Sequence, residues 1–296
     1  MRYLVTGASG FVGHYLCSRL ASAGHAVIPA THSRKIGLGG EIQFDICNAN
    51  SARKAISDSA PDAVIHCAAM TDVDECERQP ALAEKINASA VEGICEAANS
   101  SGAKLVFLST SFVFGSQGGI LDEESRPLPI NAYGTSKFHG ESCVAEHSKD
   151  FLILRIDQPF GPRAEWQKQD MVAWTLSRAR QGREFNVVSD WFNQPTYLPD
   201  LFMAMDSLIG KKQRGLFHCT GQERISRFEW ARLIAKTYGI PPVLAKPVSA
   251  SSLNLPALRP DVRLSCAKLA KITGLSPTPI GRALAELKSG NQGGSL

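Results

Sequence analysis

The sequence predicts an α/β fold: a doubly wound parallel sheet with a smaller, mostly helical C-terminal lobe. Three observations carry this. Short β-branched runs alternate with helical stretches through the first half of the 296 residues, a rhythm that builds parallel sheets with right-handed crossovers. The runs at 63–66 and 104–109 are almost wholly apolar, as strands buried on both faces are. After about residue 156 the rhythm changes and helical patterns dominate.

The first run, Tyr3-Leu4-Val5-Thr6, has the length and pattern of an opening strand. Further strands are expected at 26–30, 42–44, 63–66, 104–109 and 151–155, with helices at 12–23, 51–59, 80–99 and 132–147 between them. Beyond them, helices are expected at 170–181, 198–209 and 227–238, and short strands at 185–188 and 216–220. The Pro-rich stretch 241–260 reads as irregular, and the polar, Gly-rich tail 289–296 as frayed. The two units are placed at 1–156 and 157–290; no linker rich in Gly and Ser separates them, so they are expected to interleave.

Composition narrows the class. With 44% hydrophobic and 20% charged residues the chain is neither disordered, collagen-like nor a coiled coil. Its 32 Lys and Arg exceed 28 Asp and Glu by only four, evenly spread, which argues against nucleic acid. The eight cysteines form no C-x-x-C pair and have no His at ligand spacing, so reduced thiols and no metal site are expected. No apolar run nears the roughly 18 residues of a membrane span. The chain enters its first strand without room for a signal peptide, so a soluble, cytoplasmic protein is expected.

Thr6-Gly7-Ala8-Ser9-Gly10-Phe11-Val12-Gly13 follows the first strand and opens the first helix. Gly7 permits the tight turn, Gly10 removes a Cβ where a pyrophosphate meets the backbone, and Gly13 lets the helix pack on the sheet. The free N–H groups and the positive dipole end at Ser9, Phe11 and Val12 suit phosphates. This makes 1–156 an NAD(P)-binding Rossmann unit and 157–290 a lobe for substrate. At the end of the second strand, where a carboxylate would hold an NAD ribose, the chain reads His32-Ser33-Arg34-Lys35, and no carboxylate follows until Glu41. Ser33, Arg34 and Lys35 suit a 2′-phosphate, so NADP(H) is favoured over NAD(H).

Tyr133-Gly134-Thr135-Ser136-Lys137 puts a phenol and an ammonium at i and i+4 on one helix face. A free phenol has a pKa near 10, and a nearby ammonium would favour the phenolate.

The G-x-x-G-x-x-G turn together with Asn131-Ala132-Tyr133-Gly134-Thr135-Ser136-Lys137-Phe138-His139-Gly140-Glu141 resembles the extended branch of the short-chain dehydrogenase/reductases. The resemblance implies reversible hydride transfer. Tyr133 would protonate the carbonyl oxygen, Thr110 would polarise it, and Lys137 would hold the nicotinamide ribose and tune Tyr133. It also places Asp45-Ile46 against the adenine and Cys67-Ala68-Ala69 along the cofactor wall.

Within that branch the chain resembles the dTDP-4-dehydrorhamnose reductases. Thr71-Asp72-Val73-Asp74-Glu75, Gly215-Leu216-Phe217-His218-Cys219-Thr220-Gly221 and Arg259-Pro260 match stretches of that subgroup. The resemblance implies an NADPH-dependent sugar-nucleotide 4-ketoreductase acting on a nucleotide-linked deoxysugar. Thr71, Val73, Ser111, Gln158, Arg163 and Arg259 are the candidate substrate residues, the two arginines because they suit a pyrophosphate. Two departures fall where substrate would sit. Thr110-Ser111-Phe112 replaces the subgroup's Thr-Asp-Tyr, and Gln158-Pro159 stands where a Trp is common. The expected partners are the nucleotide-sugar and at most a second copy of the chain, with neither nucleic acid nor membrane. Two alternatives stay open: an epimerase or dehydratase of the same superfamily, and a non-catalytic NADP-binding subunit like the methionine adenosyltransferase β subunit.

Overall fold

The computed structural model describes residues 1–290. The first half supplies β1 (Arg2–Thr6), α1 (Phe11–Ser22), β2 (Ala26–Thr31), β3 (Ile42–Gln43), α2 (Ala49–Ser59), β4 (Ala63–His66), α3 (Val73–Arg78), α4 (Pro80–Glu84), α5 (Ala90–Ser100), β5 (Lys104–Thr110), α6 (Ala132–His147) and β6 (Phe151–Ile156). The second half adds α7 (Met171–Ala179), β7 (Phe185–Val188), β8 (Phe192–Asn193), α8 (Leu198–Gly210), β9 (Gly215–His218), β10 (Ile225–Ser226), α9 (Arg227–Tyr238), β11 (Ala245–Val248), α10 (Ala267–Thr273) and α11 (Ile280–Gly290).

Seven strands form one parallel sheet in the order β3-β2-β1-β4-β5-β6-β9. The chain winds outward one way from β1 to β3 and the other way from β4, so the strand order reverses between β1 and β4. A crevice opens at the carboxyl ends of the strands at such a point. There Thr6 pairs with both Ala30 and His66.

Helices cover both faces. Leu16 and Leu20 of α1 pack with Leu201, Met205 and Leu208 of α8 on one face; Ile56 of α2 and Ile94 of α5 cover the other. Every residue of β4 and β5 is buried, which is why their sequences do not alternate. A third cluster, around Phe160, Trp230 and Leu284, forms the core of the second half. From the second half of the chain, β9 joins the large sheet and α8 packs on its face.

Three expectations change. The helix predicted over 80–99 is α4, a π-helical turn at Lys85–Ser89, and α5. The turn is held by Asn87, whose amide accepts from Met70 N (2.8 Å) and donates to Met70 O (3.0 Å) and Ser136 Oγ (3.0 Å). The stretch read as irregular contains β11, which pairs in parallel with β7. Residues 216–218 belong to β9 at the edge of the large sheet, beside β6. Short helices α3, α10 and α11 have no counterpart in the sequence reading. Of the tail expected to fray, 289 and 290 end α11, and 291–296 lie outside the described residues.

Candidate active site

A cleft of about 1110 Å³ opens along the carboxyl ends of β1, β2, β4, β5 and β6. Its cradle is the turn between β1 and α1, where Gly7, Ser9, Gly10, Phe11, Val12 and Gly13 all line it. The glycines are required by contact. Gly7 has φ +66°, and a Cβ there would lie 2.7 Å from Ala68 N. A Cβ on Gly13 would lie 2.3 Å from Gly7 O. Helix α1 has no side-chain cap and no acidic residue in its first turn, so its free amides and positive end face the cleft uncompensated. These residues fit a dinucleotide pyrophosphate.

His32, Arg34, Asp45, Ile46, Cys67, Ala68 and Ala69 also line the cleft. Arg34 lies 4.3 Å over the Trp166 ring, and Gln167 Nε2 donates to Gly10 O (3.1 Å). The segment 166–170 therefore reaches over the cradle, a contact the sequence reading missed. Ser33 is exposed and outside the lining, and its carbonyl accepts from Gln43 (3.4 Å). The carboxylate of Glu41 does come to the end of β2, accepting from Thr31 Oγ1 (2.9 Å), Ile36 N and Gly37 N, but outside the lining.

Thr110, Tyr133 and Lys137 converge on the cleft from the end of β5 and the first turns of α6. Asn131 caps α6, accepting from Gly134 N (2.7 Å). A Cβ on Gly134 would lie 2.0 Å from Phe112 O, so glycine lets this helix press against the turn after β5. The Thr110 hydroxyl faces the Tyr133 phenol. Burial pushes that phenol up to about 12, aided by Cys76 and Asp157 and opposed by Thr110. Tyr133 is thus a protonated donor at neutral pH. Lys137 is 3% exposed; its ammonium donates to Leu108 O (2.7 Å) and lies 3.9 Å over the Phe107 ring. Burial lowers Lys137 to about 8, with Glu141 pulling the other way. Glu141 makes a buried two-pronged pair with Arg155, at 2.8 and 2.6 Å.

The profile of the RmlD substrate binding domain family matches residues 1–290. The chain belongs to this family. A dTDP-4-dehydrorhamnose reductase of Streptomyces griseus is 32% identical over 292 residues, 95% of this chain and 91% of that one. The solved dTDP-4-dehydrorhamnose reductase of Bacillus anthracis in complex with NADP superposes with a TM-score of 0.88 at 28% identity, covering 98% of this chain and 99% of that one. The methionine adenosyltransferase 2 subunit beta of Pongo abelii is 28% identical over 281 residues, 90% of this chain and 81% of that one.

Of the residues expected to meet a substrate, Thr71, Val73 and Gln158 line the cleft. Three expected residues do not. Arg163 donates to the carbonyls of Glu165 (3.0 Å) and Gln167 (2.5 Å), so it folds its own loop. Arg259 pairs with Asp74 (2.8 Å), donates to Ala257 O and lies over Trp191. Ser111 is buried behind the wall and faces Asp157. Asp157 itself lines the cleft and was not anticipated; its only sequence signal is a carboxylate at the end of a buried strand. Gln158, beside it, has φ +34°, a strained conformation for a residue with a side chain.

Proposed function

We propose that this chain uses NADPH to reduce a keto group on a nucleotide-linked deoxysugar. The observation that carries the reading is the convergence of Thr110, Tyr133 and Lys137 in one cleft whose far end is a phosphate cradle. The cofactor, when bound, supplies the hydride. Gly10 and the amides of α1 would hold its pyrophosphate, Asp45 and Ile46 its adenine end, and Lys137 its nicotinamide ribose. His32 and Arg34 are the groups for a 2′-phosphate, which is why NADPH is preferred here over NADH. Tyr133 gives its proton to the substrate oxygen, which Thr110 polarises. The relatives named as dTDP-4-dehydrorhamnose reductases support this substrate class.

The test follows NADPH and NADH oxidation with a panel of nucleotide-linked 4-keto-6-deoxysugars. Tyr133→Phe should lower kcat by about 10²- to 10⁴-fold, the usual contribution of a positioned acid. Tight NADPH binding without turnover on any ketone would overturn the reading and favour a regulatory subunit, the class to which the adenosyltransferase relatives point. Conversion of sugar without net oxidation of NADPH would favour an epimerase.

A further inference from the structure

We infer that Asp157 is a substrate-holding residue: its carboxylate, at the end of β6 in the cleft wall, accepts a hydrogen bond from a sugar hydroxyl near the reacting carbon. The inference rests on the nucleotide-sugar reading above and adds a specificity residue to it.

Asp157 is 5% exposed, yet it lines the cleft alongside Thr110 and Tyr133. It is held in place. Gln194 N donates to Oδ2 at 2.7 Å, Asn193 Nδ2 reaches both oxygens at 3.5 Å, and the Ser111 hydroxyl faces the carboxylate. The segment that supplies these donors is itself pinned. Gln194 Nε2 donates to Gly221 O and Leu264 O, and Thr196 Oγ1 donates to Cys219 O (3.0 Å) while accepting from Asp157 N (3.0 Å).

A carboxylate offers about four acceptor sites. Gln194 N, Asn193 Nδ2 and the Ser111 hydroxyl take up three of these, the Asn193 contacts at the outer limit of hydrogen bonding, so at least one acceptor site remains. Burial raises the Asp157 carboxyl above the usual carboxylate range, while Gln194 N, Ser111, Asn193 and the positive charge of Arg227 oppose that rise and favour the ionised form. Burying a carboxylate is costly unless its acceptors are used, and the residue that carries this one lines the cleft. The strained backbone of the next residue, Gln158, also in the wall, adds an independent mark, because strain of this kind gathers at ligand sites. A fixed acceptor beside the proton donor Tyr133 suits a hydroxyl neighbouring the ketone and would reject a ligand without one by leaving a buried acceptor unpaired.

The test measures binding of dTDP-glucose and of dTDP to the protein saturated with NADP⁺, by calorimetry, in the wild type and in Asp157→Asn. Asp157→Asn should weaken dTDP-glucose about ten- to hundredfold, the range for a hydrogen bond to a charged group, and change dTDP less than twofold. Equal losses for both ligands, or no loss for either, would overturn the role of Asp157. Should Asp157→Asn not fold, as judged by NADPH binding, the wild type is measured with singly deoxygenated dTDP-glucose analogues. One hydroxyl should then cost at least tenfold, and a flat series refutes the inference. A wild type that binds NADPH but neither dTDP nor dTDP-glucose defeats the nucleotide-sugar reading itself, and the inference falls with it.

Discussion

Gly140 ties the architecture of helix α6 to the geometry of the site. A Cβ at this position would lie 2.3 Å from Asn87 O and 2.9 Å from the Phe107 ring. Ordinary contact begins at 3.4 Å, so Gly140→Ala must open the α6 contact by 1.1 Å at a backbone atom that cannot rotate away. Overpacking of this kind costs about 1–3 kcal/mol. The same displacement strains the Asn87–Ser136 bond and moves Tyr133 and Lys137, which ride on α6. A shift of about 1 Å at the chemistry can cost about 10²-fold in rate. The assay is a urea unfolding series paired with kcat/KM for NADPH-dependent reduction. The control is Gly281→Ala in α11, where nothing lies within 4 Å of the new methyl group; it should gain about 0.5–1 kcal/mol from helix propensity. If Gly140→Ala kept the wild-type urea midpoint and rate, the close approach of α6 to the π-helical turn would not be what positions Tyr133.

Three further outcomes follow from the buried groups. Glu141→Gln leaves Arg155 as an uncompensated charge, with side chains 3% and 4% exposed in the native pair, and should cost about 3–5 kcal/mol in urea unfolding. Lys137 loses its proton near pH 8 in the folded protein but only near 10.4 when unfolded. Between those values the unfolded chain binds more protons, so this residue makes stability rise with pH. Lys137→Met should therefore lose ground to the wild type by up to about 3 kcal/mol between pH 7 and 10.5, and an unchanged difference would show that the ammonium is not desolvated. The thiol of Cys143 is lowered by its neighbour Cys95, while burial raises Cys17, Cys67 and Cys219; peptide mapping after brief alkylation should find Cys143 modified before these three.

Much of this was legible because it is local. The glycine cradle is one contiguous turn, and β4 and β5 announce their burial by being apolar throughout. Tyr133 and Lys137 share a helix face by spacing alone. What was not legible depends on remote partners. The π-helical turn within 80–99 exists because Asn87 bonds Met70 and Ser136 and because Gly140 admits its carbonyl; nothing within 80–99 signals it. β11 was hidden by Pro247, which is tolerated because this strand is an edge of a two-stranded sheet. Arg259 reads as an anion binder until Asp74, far along the chain, proves to hold it.

The same dependence on remote partners bears on the departure at Ser111. The dTDP-4-dehydrorhamnose reductases that this chain resembles usually carry Asp there, and Ser111→Asp would appear to restore their pattern. The structure argues otherwise. Ser111 is 4% exposed and faces Asp157, 5% exposed, so the substitution places two carboxylates in one buried position with Arg227 as the charge acting on Asp157. Like charges this close cannot both ionise without penalty, and an uncompensated buried charge costs about 3–5 kcal/mol. Ser111→Asp should therefore unfold at lower urea than the wild type. The double variant Ser111→Asp with Asp157→Ser moves the single carboxylate from one strand end to the next and should recover most of the loss, with a favourable coupling above about 1 kcal/mol. Additive losses would mean that the two positions do not share one carboxylate. Coupled losses would explain how a member of this family keeps an acid in its cleft wall after losing it from the usual place.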